Sequence, residues 1–128
     1  MNGSTNAEVM TTDTASALSE KENTIQVKHV ILSGSQLTSN YASGTIEYTK
    51  YGRVCVLNLS DVMLSSGGYV TIANLPDEAK PWYPQPCSIA ARYPDNAGAM
   101  LTLDNNGALK MNGSTSSHYY GQLVYFTN

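Results

Sequence analysis

The sequence predicts one all-β domain, an antiparallel β-sandwich of jelly-roll-like type. Three features predict it: short apolar stretches that alternate with period two, turn-forming residues that recur between them, and the lack of any helix-period segment long enough for a crossover. With 128 residues the chain can bury one core, since two would leave each half near the limit of independent stability.

Residues 1–23 are rich in Ser, Thr, Asn and small residues and hold too few large apolar groups to build a core, so they are expected to form a loose tail or linker ahead of a domain at 24–128. From Thr24 the texture changes. Ile25, Val27 and His29 alternate with Gln26 and Lys28 before Val30, Ile31 and Leu32, the pattern of a half-buried strand, and 33–40 follows as a loop. Residues 45–48 and 54–59 read as a hairpin joined through 50–53, with Gly52 able to supply the positive φ of a tight turn. In its second arm Val54, Cys55, Val56 and Leu57 are consecutively apolar, so both faces should be covered, one by the core and the other by a second layer or another subunit.

A loop at 65–68 leads to a short strand at 69–73. Pro76, Pro81, Pro84 and Pro86 then forbid regular pairing for about ten residues, which predicts a long surface excursion. A strand at 88–93, a turn at 94–98 and a strand at 100–103 follow. Asp104-Asn105-Asn106-Gly107 is the strongest short hairpin signal in the chain and should join Leu101 and Leu103 to Leu109 and Met111. The closing strand at 120–126 places Leu123 and Tyr125 on one face and Val124 and Phe126 on the other.

The formal charge of −3 with 13% charged residues gives no footprint for gripping phosphate backbones, which argues against nucleic acid as a partner. No run of about 18 apolar residues exists, so no membrane insertion is expected. The first six residues lack the basic-then-apolar layout of a signal peptide, which implies production in the cytoplasm. Cys55 and Cys87 lack metal-type spacing and are expected to be buried thiols rather than a bridge.

No catalytic motif is present, and the expectation is a protein that is not an enzyme and takes no cofactor or metal. His29, placed on a strand, and His118, placed in a loop, belong to no short-spaced ligand pair. Asp61, Asp77, Asp95 and Asp104 could be combined into acid pairs, but any chain with ten acids offers such combinations. Nine tyrosines against one phenylalanine are more informative, because tyrosine joins a flat apolar face to a hydroxyl that can stay wet. Trp82-Tyr83 lies in the proline-rich excursion, Arg92 to Asn96 spans a strand end, and His118-Tyr119-Tyr120 opens the last strand. Rings with a few placed polar groups are what a saccharide needs, since ring faces stack under sugar C–H groups while amides, carboxylates and guanidinium take the hydroxyls. The plainer alternative is that Trp82 plugs one end of the sandwich and the tyrosines line a subunit interface.

Gly-Thr-Ile-Glu-Tyr at 44–48, Lys-Tyr-Gly-Arg-Val at 50–54, Ala-Asn-Leu-Pro before a stretch ending Trp-Tyr-Pro at 73–84, Leu-Asp-Asn-Asn-Gly-Ala-Leu at 103–109 and Tyr-Gly-Gln-Leu-Val-Tyr at 120–125 follow one another in a familiar order. Residues 40–128 thereby resemble the C-terminal head domains of tail-tip proteins from phages and prophages of Gram-positive bacteria. The resemblance implies a homotrimeric jelly-roll-like head in the virion tail, attached to other phage tail proteins and recognising host cell-surface saccharide. In such heads a Trp and an Arg help to hold the sugar, which points to Trp82 and Arg92, with Tyr83, Asp95, His118 and Tyr119 completing the candidate site. Some of these heads also use a His and an Asp close in sequence; here His118 and Asp95 lie far apart. The alternatives are a structural tail or baseplate component without ligand and a polysaccharide-degrading enzyme.

Overall fold

The computed structural model describes residues 26–93 and 98–127, with 88–93 described by backbone alone. The expected tail at 1–23, Asp95 and most of the turn at 94–98 lie outside the described residues. Among the described residues there are eight strands: β1 (Val27–Ile31), β2 (Tyr41–Tyr51), β3 (Val54–Leu64), β4 (Gly68–Asn74), β5 (Gln85–Tyr93), β6 (Gly98–Leu103), β7 (Ala108–Gly113) and β8 (His118–Phe126). They are hydrogen-bonded antiparallel in the order β1-β2-β3-β8-β5-β6-β7-β4. The first four and the last four fold against each other as two layers, because the inward residues of both sets meet in one core.

Register shows how alternation builds that core. Tyr48 pairs with Leu57 and Ile46 with Leu59 across β2 and β3, while Cys55 pairs with Tyr125 and Leu57 with Leu123 across β3 and β8. From the second layer come Leu101 and Leu103, paired with Met111 and Leu109. All are buried, and each such side chain contributes on the order of 1.5–3 kcal/mol by leaving water. Cys55 and Cys87 are free thiols turned to this core, and burial raises both above the ordinary thiol range.

The hairpins form where turn chemistry places them. Gly52 takes φ +61° in a two-residue connection, so β2 and β3 run longer than the expected arms. At the second hairpin Gly107 has φ +92°, its N–H donates to the Asp104 carbonyl at 2.9 Å, and Asn106 Oδ1 accepts the Ala108 N–H at 3.0 Å. β5 begins earlier than expected, at Gln85, so Pro86 lies inside a strand. Pro86 pairs with Thr102 of β6, whereas β8 meets β5 only from Ala90 onward, so its other edge has no ladder for the missing N–H to break.

The outer faces of the two layers differ in kind. On β1-β2-β3-β8 one row across the strands reads Val27, Tyr51, Val54, Phe126 and the next reads His29, Thr49, Val56, Val124. In β1 the inward residue is Val30, while Val27 and Ile31 face out and stay exposed. The opposite layer turns out Thr71, Thr102 and Lys110, with Met100 and Tyr69 as exposed apolar groups among the described residues.

Candidate functional site

Residues 75–84 connect β4 to β5 and carry three prolines, so this connection cannot hold itself by a ladder of its own. It is fastened to the core instead. The Leu75 N–H donates to the Gly107 carbonyl at 2.8 Å. Ala79 is buried and its carbonyl accepts the Tyr125 hydroxyl at 2.7 Å. Glu78 accepts the Tyr48 hydroxyl at 2.5 Å and pairs with Lys28 at 2.8 Å. Pro81 bridges to Thr127, and the Trp82 N–H donates to the Phe126 carbonyl at 2.9 Å.

The pKa shifts follow from this packing. Burial first, then the Glu78 bond, pushes the Tyr48 hydroxyl up; burial first, then Cys55, does the same to Tyr125. Both hydroxyls therefore remain donors into alkaline conditions. The Lys28 hydrogen bond first, then that of Tyr48, holds the Glu78 carboxyl below its usual range.

With its backbone held, the connection leaves its rings outside. Trp82 is 51% and Tyr83 66% exposed, and the two stack with centroids 5.6 Å apart and planes 12° from parallel. Trp82 therefore does not plug the sandwich end. Arg53, in the β2–β3 turn, sets its guanidinium carbon 5.2 Å from the Trp82 ring centroid. The Arg53 Nε and Nη2 also lie 3.3 Å from the Thr127 carbonyl, and Thr127 N–H donates to the Arg53 carbonyl at 2.8 Å. Beside these rings runs a groove of about 370 Å³ lined by Val54, Trp82, Tyr83, Gln85, Val124 and Phe126 over Tyr125. Gln85 Nε2 donates to the Tyr83 carbonyl at 2.8 Å, which steadies the rim.

The sequence-predicted residues divide between two places. Trp82 and Tyr83 share the groove beside the C-terminal end of β8. His118 is the first residue of β8 rather than part of a loop, and pairs with Tyr93 of β5. At ~3.3 Å per residue the two ends of β8 are roughly 25 Å apart. The Arg92 backbone lies on β5 between Ala91, paired with Tyr119, and Tyr93, so it belongs to the His118 end; its side chain, like all of Asp95, is outside the described residues. Tyr119 is corrected outright: at 1% exposure its ring is core, and its hydroxyl accepts the Ser114 N–H at 2.8 Å, leaving no face for a ligand.

At that far end the structure contains a His–Asp pair, with Asp61 as the partner. His118 Nδ1 lies 2.5 Å from Asp61 Oδ1. Asp61 has φ +55°, in a bulge where β3 shifts register against β8 between Leu59 and Val62. Gly44 opposite is required, since a Cβ there would overlap the Asp61 carbonyl, and its φ is +104°. Sequence reading missed Arg53 as a site residue because a turn Arg carries no signal of what its side chain will cover. It missed the Asp61 pairing because a bulge aims that carboxylate.

Among the described residues the remaining acids are engaged elsewhere: Glu47 with His29 at 3.0 Å, Asp77 with Lys80 at 2.6 Å and Asp104 with Lys110 at 2.8 Å. The Lys80 hydrogen bond holds Asp77 below its usual range, and the Asp104 bond holds Lys110 above its own. The lowered Asp77 carboxyl is shifted in the direction opposite to that of a general acid.

Fold and groove together define an all-β sandwich domain with an exposed aromatic surface at one end. The chain is similar in structure to the receptor-binding protein gp15 of Listeria phage PSA, with a TM-score of 0.72 and 18% sequence identity, over 96% of this chain and 78% of that one. At that identity the likeness is one of fold. No protein-family model matches the chain, and no curated protein matches its sequence.

Proposed function

We propose that this domain is a tail-tip receptor-binding head of a phage or prophage, and that it holds host cell-surface saccharide in the groove at Trp82 and Tyr83. The observation that carries this reading is the pair of stacked, half-exposed rings on a backbone pinned to the core. Leaving apolar rings in water is unfavourable unless they serve a contact, and the hydrogen bonds around them hold the platform in place before a ligand arrives. The sandwich fold shared with a phage receptor-binding protein supports the reading. Arg53 takes the role that sequence reading gave to Arg92, as the guanidinium beside the Trp. The domain would sit in the virion tail with other tail proteins as neighbours.

The outer face of β1-β2-β3-β8 fits a homotrimer. Beyond the groove, Val27, Ile31 and Tyr51 are exposed on it, and a ring of identical heterologous contacts would cover them. Three weak sites on one head would also raise avidity for a repetitive surface. This same face favours a second reading, a structural tail component that uses the sandwich only for assembly.

A cell-wall pull-down combined with solution mass separates the two. The receptor-binding reading expects a threefold mass, retention on host cell wall, and loss of retention in Tyr83→Ala with mass unchanged. A folded trimer that is never retained would favour the structural component, and a monodisperse monomer would remove the assembly proposal.

A further inference from the structure

We propose that the free edge of β1 docks β1 of a second copy of this chain, the two strands pairing antiparallel about His29. Among the described residues β1 stands first in the strand order and pairs only with β2. Its register against β2 fixes where its backbone groups point. The Leu32 N–H donates to the Ile46 carbonyl at 2.9 Å, and hydrogen-bonded pairs alternate along an antiparallel ladder. Val30 and Lys28 therefore exchange their bonds with Tyr48 and Lys50. The N–H and C=O groups of Val27, His29 and Ile31 point the other way, out of the sheet, and meet no partner among the described residues.

The chain shows in two places what a closed edge looks like. Ser33 is the next outward residue after Ile31, and Gln36 satisfies both its groups: the Ser33 N–H donates to Gln36 Oε1 at 3.1 Å and the Gln36 N–H donates to the Ser33 carbonyl at 3.2 Å. At the far end of the order, β4 is capped by the segment after β1. There the Thr38 N–H donates to the Ile72 carbonyl at 3.0 Å, and Thr38 Oγ1 and Asn40 Nδ2 donate to the Thr71 carbonyl at 2.6 and 2.9 Å. β1 has no such cover and little that would keep another strand away. It contains no proline, its register runs through five residues without a bulge, and its one lysine, Lys28, pairs with Glu78 at 2.8 Å.

A second copy fits because the edge complements itself. With His29 opposite the partner's His29, Val27 meets the partner's Ile31 and Ile31 meets the partner's Val27. Every outward N–H then faces an outward C=O, giving about six backbone hydrogen bonds around a two-fold axis. Val27 and Ile31 are 61% and 57% exposed, and as cross-strand neighbours they cover one another. Each His29 comes with a carboxylate of its own chain, since its Nε2 lies 3.0 Å from Glu47 Oε2. The outer sheets of the two copies become one continuous sheet, the mode in which a strand is added to an open edge. This goes beyond the receptor-binding reading and does not depend on it. A five-residue edge makes a small contact, so the doubling is a weak step added to whatever oligomer the outer face forms.

Sedimentation velocity of the full chain over a concentration series tests it. The parent mass should double as concentration rises. His29→Pro removes an N–H that the β2 ladder does not use, so the fold tolerates it, and it should weaken the doubling by about tenfold or more. His29→Ala keeps that N–H and should stay within about threefold of the parent. Register is read by cross-linking under mild oxidation. His29→Cys should give a covalent dimer, as should a mixture of Val27→Cys and Ile31→Cys chains, whereas Val27→Cys alone should not, because its counterpart lies about 13 Å away along the strand. A parent mass that does not change with concentration, equal loss in His29→Pro and His29→Ala, or equal cross-linking by the single variants at 27 and 29 overturns the inference. Slow amide exchange at His29 and Ile31 that persists in undoubled protein also overturns it, since the chain itself would then cover the edge.

Discussion

The two ends of β8 solve opposite problems. At its N-terminal end His118 meets Asp61 at 2.5 Å, Tyr119 is buried, and Asp61 takes a left-handed backbone in a bulge that sets its exposed carboxylate against the imidazole. At its C-terminal end the backbone is equally well tied, through Trp82 to Phe126 and Thr127 to Arg53, yet Trp82, Tyr83 and Phe126 remain more than half exposed. One end directs its polar groups at each other and the other directs only its backbone inward. The difference teaches where to look for a ligand surface: a polar cluster satisfied within the fold has little left to offer, whereas stacked rings left exposed beside a guanidinium that is held by an indole and a backbone carbonyl do.

The largest expected effect belongs to the N-terminal end. Gly44→Ala must push aside the Asp61 carbonyl and also adopt φ +104°, so it should cost about 3 kcal/mol or more in urea unfolding. A cost below about 1 kcal/mol would mean that the bulge gives way easily and that the contrast between the ends is weaker than drawn.

The smaller effect belongs to the anchor of the other end. Glu78 is held below its ordinary carboxyl range by Lys28 first and Tyr48 second. A folded pKa below the unfolded one contributes stability that is present above the ordinary range and is lost as pH falls through the folded value. Lys28 is well exposed, which limits the ion pair's share. Glu78→Gln should therefore destabilise by about 1 kcal/mol near neutral pH, and parent and variant should converge as acid titrates the parent carboxyl. A gap that persists unchanged in acid would assign the loss to packing rather than to charge.

Much of the fold was legible because it rests on local chemistry. Alternation set Leu123 and Tyr125 on the face opposite Val124 and Phe126, of which the structure buries the first pair, and Gly52 and Asn106-Gly107 marked two hairpins. Pro86 was misread because whether proline is tolerated depends on whether the neighbouring strand reaches that position, which is a matter of register. The candidate site was legible in Trp82 and Tyr83, whose prolines announced a surface connection. Tyr119 was misread because its alternation puts it on the core side of β8, and that depends on where the strand begins. Arg53 and Asp61 act through neighbours 29 and 57 positions away, from Arg53 to Trp82 and from Asp61 to His118, pairings that only the closed sandwich creates.

The central claim is that ligand binding resides at the Trp82 end of β8 and not at the His118 end. The direct measurement is the affinity of host cell-wall polysaccharide for three proteins: the parent, Trp82→Ala and Asp61→Asn, each shown to be folded. The account predicts a loss of about tenfold or more in Trp82→Ala and a change within about twofold in Asp61→Asn. Undiminished binding by Trp82→Ala together with loss in Asp61→Asn would contradict it.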